Sequence, residues 1–242
     1  MTGKEKEKID FGINTEEMAK AGVHFGHKSS KLHPKMGPYL YGVRNGIHII
    51  DLKETKEKLE KALKFIENLI SENKALLVVG TKIQIKDLVK NFAKECGLLY
   101  VSERWLGGTF TNFEVIKKRI NHFKELEDKR AKGELEKYTK RERAKIDLEL
   151  KNFERKFGGI KDMEDLPDAI LILSMEKDNL VVKEAIKKNI KIIAISDSNT
   201  DPTLADYPIP ANDDAVSSVK YILEKVKDVI LKARQEVSKK NL

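Results

Sequence analysis

The chain has a single cysteine, Cys96, in 242 residues. A disulfide framework and a thiolate zinc cage within one chain are therefore excluded, and a reducing compartment is expected. Long apolar runs are lacking too. No stretch approaches the ~20 apolar residues of a membrane-spanning helix, and MTGKEKEKID at the start carries charge where a secretory leader needs an apolar run. The expectation is a cytoplasmic protein with no membrane partner. The glycine signatures G-x-x-x-x-G-K-[ST], G-x-G-x-x-G and G-x-S-x-G do not occur. VVGTK at 78–82 has one glycine and one lysine, without the spaced glycines that let backbone N–H groups wrap phosphate. No cofactor is expected. Two further absences are local: Asp and Glu are missing from Met18 to Ile50, and Lys and Arg are missing from Ser196 to Val219.

What is present is charge. Charged residues make up 36% of the chain against about a quarter in a typical soluble domain, so some element must be largely solvated or face another charged molecule. Lys and Arg exceed Asp and Glu by 47 to 39, a net charge of +8 that favours a polyanionic partner.

Patterning gives the fold. Asn14 and Glu17 have capping-box spacing and Gly22 supplies a stop, which predicts a short helix over 15–21. Gly22, Gly26, Pro34, Gly37, Pro38, Gly42 and Gly46 then read as one long ordered loop, ahead of a buried strand near 47–52. Leu59, Leu63, Ile66 and Ile70 recur at helical spacing, ALLVVG at 75–80 reads as a strand, and a helix with Ile85, Leu88, Val89, Phe92 and Cys96 on one face closes at Gly97. LLYVS at 98–102, DAILILS, a helix near 178–189, IKIIAIS, a Pro-rich turn region and a last helix near 214–236 complete the alternation. Strands alternating with helices imply a parallel sheet covered on both faces, a doubly wound α/β fold. Residues 1–111 and 158–242 form this discontinuous domain.

Residues 112–157 differ in character. Ile116, Ile120, Phe123 and Leu126 make one apolar stripe and Ile146, Leu150, Phe153 and Phe157 another, with Gly133 near the reversal. This predicts an inserted antiparallel helical hairpin, coiled-coil-like, projecting from the sheet domain.

Three stretches carry candidate chemistry. The acid-free segment holds Lys28, Lys31, Lys35 and Arg44 among His24, His27, His33, Tyr39, Tyr41 and Asn45, a mixture suited to phosphate contact and base stacking. Zinc on the three histidines would need a carboxylate, and none occurs nearby before Asp51. Metal binding is accordingly not assigned to them, and a chelator is expected to leave the fold intact. Asp197, Asp201 and Asp206 could hold Mg²⁺ beyond a strand end, although Asn-Thr-Asp-Pro is also turn chemistry. GGTFTN at 107–112 could cradle an anion at a helix start, or be a plain turn. The opposite charge of the acid-free and base-free segments predicts two faces meeting different environments.

Taken in order, AGVHFGHKSSKLHPKM, YGVRNGIHIIDL, RWLGGTFTNF, PDAILIL and IAISDSNTDPT…YPIPANDDA resemble bacterial-type small-subunit ribosomal protein two, the S-two family, over about residues 9–230. The resemblance implies a flavodoxin-like α/β domain with an inserted helical hairpin and no enzymatic activity. It implies as partners small-subunit ribosomal RNA at the head–body junction and neighbouring small-subunit ribosomal proteins, including the mRNA-binding ribosomal protein one. By analogy, His24, His27, Lys28, Lys31, His33, Lys35, Tyr39, Tyr41, Arg44 and Asn45 are candidate RNA contacts, with Arg104, Trp105 and Asn112 at the hairpin base. Trp105 would equally suit pinning the hairpin to the sheet. The polar GKEKEKIDFGI segment is expected to be loosely ordered. A nucleotide- or metal-dependent enzyme on the same sheet is the competing class.

Overall fold

The computed structural model describes residues 11–240. Most of the GKEKEKIDFGI segment lies outside them, and its last residue, Ile13, is buried. Eight strands and seven α-helices are described: α1 Thr15–Lys20, β1 Phe25–Lys28, β2 Leu40–Arg44, β3 Ile47–Ile50, α2 Leu52–Ser71, β4 Leu76–Val79, α3 Lys86–Cys96, β5 Leu99–Val101, α4 Phe113–Ala131, α5 Lys140–Phe157, β6 Ala169–Ile172, α6 Asn179–Lys187, β7 Lys191–Ser196, β8 Tyr207–Pro210 and α7 Val216–Lys240.

Five strands form an all-parallel sheet in the order β5-β4-β6-β7-β8. Chain order is thus 2-1-3-4-5, the flavodoxin-like winding, with the reversal between β4 and β6. Period-two alternation divides the apolar runs between two cores. Leu76, Val78, Leu171, Ile193 and Ile195 face one core, which is completed by Leu59, Leu63 and Ile66 of α2, Val89 and Phe92 of α3, and Val219, Ile222 and Val226 of α7. Leu77, Val79, Ile170, Ile172 and Ala194 face the other, against Val181, Val182 and Ala185 of α6. The hairpin stripes join this second core: Ile116, Ile120, Phe123, Leu126, Leu150 and Phe157 are buried, with Ile146 and Phe153 packed against them. Pairs of Arg130 with Asp147 (3.7 Å) and His122 with Glu149 (3.9 Å) show that α4 and α5 run antiparallel. Thr139 and Glu142 cap α5 reciprocally.

Two elements differ from the sequence reading. The long loop is largely an antiparallel sheet, β1-β3-β2, and β3 belongs there rather than to the main sheet. Asn45 and Gly46 both have positive φ, 51° and 74°, the signature of a two-residue hairpin turn, so Arg-Asn-Gly-Ile was a hairpin signal among the glycines and prolines that read as loop. The Pro-rich turn region contains β8. Ala211 N–H donates to Ser196 O, so the neighbouring Pro210 nitrogen faces away from β7, at the sheet edge where a missing donor is tolerated. Pro210 O instead accepts from Thr55 Oγ1 of α2 at 2.6 Å.

Candidate nucleic-acid interface

The basic and acidic segments meet, contrary to the two-environment expectation. The chain from Gly22 to Met36 lies across the carboxyl ends of β7 and β8. Asn212 donates to Val23 O (3.0 Å) and Gly22 O (3.2 Å), His33 N–H donates to Ser198 O (2.9 Å), and His27 N–H donates to Ser198 Oγ (2.8 Å). Gly26 permits this approach, because a Cβ there would lie 2.8 Å from Ser198 Oγ and 3.1 Å from His48 O. In a sequence, charge segregation along the chain looks like segregation in space; here the turn after β7 brings the opposite segments into contact.

That contact pairs part of the basic set internally. Lys35 Nζ lies 2.7 Å from Asp201 Oδ2 and 2.9 Å from Thr203 Oγ1. Burial works against the Asp201 carboxylate, but Lys35 and Thr203 outweigh it and hold its pKa down at about 2. His27 sits between Asp197 (Nδ1–Oδ1, 3.2 Å) and Asp214 (Nε2–Oδ2, 3.3 Å). Its pKa is raised, chiefly by Asp197. Lys82 reaches Asp213 (2.8 Å) and Asp214 (2.7 Å); burial opposes its charge, but the two carboxylates raise its pKa overall. Asp213 is raised by burial and by the charge of Asp197.

The same contacts occupy part of the region where open α/β sheets place ligands, outside the strand ends near the β4/β6 reversal, and an open cleft lined by Thr81, Glu103, Arg104, Lys177 and Asp178 remains beside them. Lys82, just beyond β4, is 13% exposed in its ion pairs. Next to it Thr81 Oγ1 donates to buried Asp178 at 2.7 Å. The GGTFTN turn does cradle an anion, and the anion is Glu184 of α6. Its carboxylate accepts from the N–H groups of Gly108 (2.7 Å), Phe110 (2.9 Å) and Thr111 (3.2 Å) and from Trp105 Nε1 (3.4 Å). Burial would raise the Glu184 pKa, but these donors outweigh it and lower it. Glu184 escaped the sequence reading because VVKEAIKK gives no local sign that one glutamate points inward.

The named residues thus separate. Lys28, Lys31, Tyr41, Arg44, Asn45, Arg104 and Asn112 are exposed, and Tyr41 is 81% exposed. Among the described residues Lys28, Lys31 and Arg44 make no ion pair. His24, His27, His33 and Tyr39 are half-buried. Burial lowers the His24 pKa, His33 Nδ1 accepts from Lys35 N–H, and the Tyr39 ring lies under Lys58 Nζ, 5.4 Å from its centroid. Trp105 is buried, edge-on to Phe110 and donating to Glu184, within the turn that precedes α4. Asp197, Asp201 and Asp206 do not form one set: Asp201 engages Lys35, Asp206 engages Lys191 and Ile192 N–H, and Asp197 faces His27.

These features define a doubly wound α/β scaffold whose strand-end lysine and GGTFTN anion cradle are engaged by its own carboxylates, with exposed cations on an appended sheet. Comparison with family models supplies the particular family. The model described as Ribosomal protein S2 matches residues 18–233, nearly the whole chain, and the chain belongs to that family. It is therefore a structural protein of the small ribosomal subunit, from a family that is not one of enzymes. Among the described residues no helix is long and apolar enough to cross a membrane.

Proposed function

We propose that this chain binds small-subunit ribosomal RNA through the outer rim of the β1-β3-β2 sheet, at the head–body junction, and so helps seat ribosomal protein one for translation. The observation that carries this reading is the set of Lys28, Lys31 and Arg44, exposed and outside any ion pair among the described residues, beside the open rings and amides of Tyr41 and Asn45. Cations held by their own carboxylates have little left for phosphate; Lys28, Lys31 and Arg44 are in no such pair among the described residues, and Lys31 acts on Asp214 only through its charge at longer range. The cations take phosphate oxygens and Tyr41 stacks on an unpaired base. Arg104 and Asn112 extend the contact toward the hairpin, and Trp105 positions them from inside. The hairpin, with Leu148 62% exposed on α5, serves neighbouring ribosomal proteins.

Filter binding to small-subunit RNA over a salt series tests the reading. Phosphate contacts make log K fall linearly with log salt, by about 0.7–0.9 per neutralised phosphate. Replacing Lys28, Lys31 and Arg44 together by Ala should weaken binding and flatten that slope by about two to three. A flat response in the unmodified protein, or an unchanged slope in the triple variant, would remove the rim from the interface. Titration with ATP and Mg²⁺ should give no binding heat; a saturable heat would favour the enzyme class.

A further inference from the structure

The cleft that stays open at the strand ends has walls that binding at the rim does not use. It lies outside the carboxyl ends of three adjacent strands, with Thr81 after β4, Glu103 and Arg104 after β5, and Lys177 and Asp178 after β6. That is the reversal of strand order at which open α/β sheets place ligands. Its volume, about 490 Å³, falls in the range of small-molecule sites. Neighbouring Lys82 is held by Asp213 and Asp214, so the cleft is the part of the reversal that the chain leaves open.

Its charges divide into engaged and unengaged groups. Lys86 is engaged, 2.6 Å from Glu103 Oε2, and Asp178 accepts from Thr81 Oγ1 at 2.7 Å. Arg104 and Lys177 are exposed, and their side chains make no ion pair or hydrogen bond among the described residues. Lys177 acts on Asp178 only through its charge at longer range. Beside these cations stand two apolar side chains, Ile83 at 82% exposure and Leu180 at 47%. A lone exposed aliphatic residue is ordinary, but these two share one cleft with Trp105. Glu103 Oε1, without a hydrogen bond among the described residues, adds an acceptor. The set calls for a ligand that is anionic at one end, flat and apolar at the other, and furnished with a hydroxyl donor between. A nucleotide has all three, whereas an acidic peptide would meet Glu103 and Asp178 as like charges.

We propose that this cleft holds one unpaired nucleotide of an RNA strand, its base between Ile83 and Leu180, its phosphate on Arg104 and Lys177, and its ribose 2′-hydroxyl donating to Glu103. Bases splayed out of RNA are held on apolar and aromatic side chains in this manner, and the 2′-hydroxyl separates RNA from DNA. One base contact and one phosphate are too little to retain a free nucleotide against the cost of immobilising it. The strand is therefore held at the rim as well, and the cleft depends to that extent on the RNA binding proposed above. Rim and cleft then fix the RNA at two points, which orients it on the protein.

Trp105 is the only tryptophan in the chain and reports on the cleft. Small-subunit RNA added to the full chain should change its fluorescence in a saturable way. The Lys28/Lys31/Arg44→Ala triple should reach the same change at saturation, with only the affinity lowered. Ile83→Ser, at a side chain too exposed to support the fold, should weaken RNA binding about five- to tenfold with the salt slope unchanged. Arg104→Ala and Lys177→Ala should each flatten the slope by about 0.7–0.9. A single-stranded oligouridylate should produce the fluorescence change at lower concentration than the matching oligodeoxyuridylate, and Glu103→Ala should close that gap. RNA binding without a Trp105 response, or with affinity unchanged in Ile83→Ser, would remove the cleft and leave the rim. No RNA binding at all would remove both. An equal response to the two oligomers would overturn the ribose contact, and the same response to micromolar AMP would overturn the assignment to a strand.

Discussion

The GGTFTN turn and the rim of the small sheet look alike in sequence, each a glycine-punctuated stretch with donors suited to an anion, yet they stand in opposite states. In the turn, the N–H groups of Gly108, Phe110 and Thr111 are engaged by Glu184 from inside the chain. On the rim, Lys28, Lys31 and Arg44 are exposed and outside any ion pair among the described residues. Lys35 and Lys82 side with the turn, held by Asp201 and by Asp213 and Asp214. Donor capacity shows in a sequence; whether the chain itself supplies the anion does not. Only capacity left over can meet a partner, and that difference can be tested by mutation.

The largest effect should come from emptying the turn. Glu184 is 5% exposed, and Glu184→Ala leaves several donors without an acceptor. It should cost about 3–5 kcal/mol of stability, read by urea denaturation, because breaking a buried charged network strands its partners. A loss under about 1 kcal/mol would mean that the turn is not held by that carboxylate. Next, the Lys28/Lys31/Arg44→Ala triple should lower RNA affinity about 30- to 300-fold while shifting stability by no more than about 0.5 kcal/mol per site, as exposed substitutions do. An equal loss of stability would place the rim with the turn and erase the contrast.

How much of this was legible follows from the range of each interaction. β4, β6 and β7 could be placed because LLVV, AILI and KIIAIS are apolar runs that contain their own evidence. The hairpin was readable for the same reason, with its two stripes and Gly133, whose φ is 72°. β8 was missed because Pro208 and Pro210 argue against a strand until its edge position is known. The small sheet was missed although Asn45-Gly46 announced a turn, because its seat depends on residues as far away as 171 positions for His27 on Ser198 and 190 for Gly22 on Asn212. In the candidate site, residue types could be listed from sequence, but the pairing of His27 with Asp197 and of Lys35 with Asp201 could not. Those contacts span 170 and 166 residues.

Gly26 sits where the two states join, since it lets β1 lie against Ser198. Gly26→Ala should cost about 1–3 kcal/mol, the usual range for overpacking a tight contact. It should also weaken RNA binding with the salt slope unchanged, because the cations remain and only their placement shifts. A lower slope would mean that the substitution disrupts the rim itself.

The smallest effect tests whether Lys35 belongs with the engaged cations. Asp201 is held at about 2, below the ordinary carboxylate value of 3.8. A depressed folded-state pKa adds stability that is present above the unfolded value and lost as pH falls through the folded one. The Lys35 contribution should therefore be constant from neutral pH to about 4 and fade between about 4 and 2. Because Lys35 is 53% exposed, solvent screening limits it to less than about 1 kcal/mol. Lys35→Met should remove this acid limb in denaturation curves taken at successive pH values and reduce RNA affinity less than threefold. A loss of affinity as large as one third of the triple variant's free energy would instead show that Lys35 leaves Asp201 for phosphate when RNA arrives. The boundary between engaged and unengaged cations would then belong to the free protein alone.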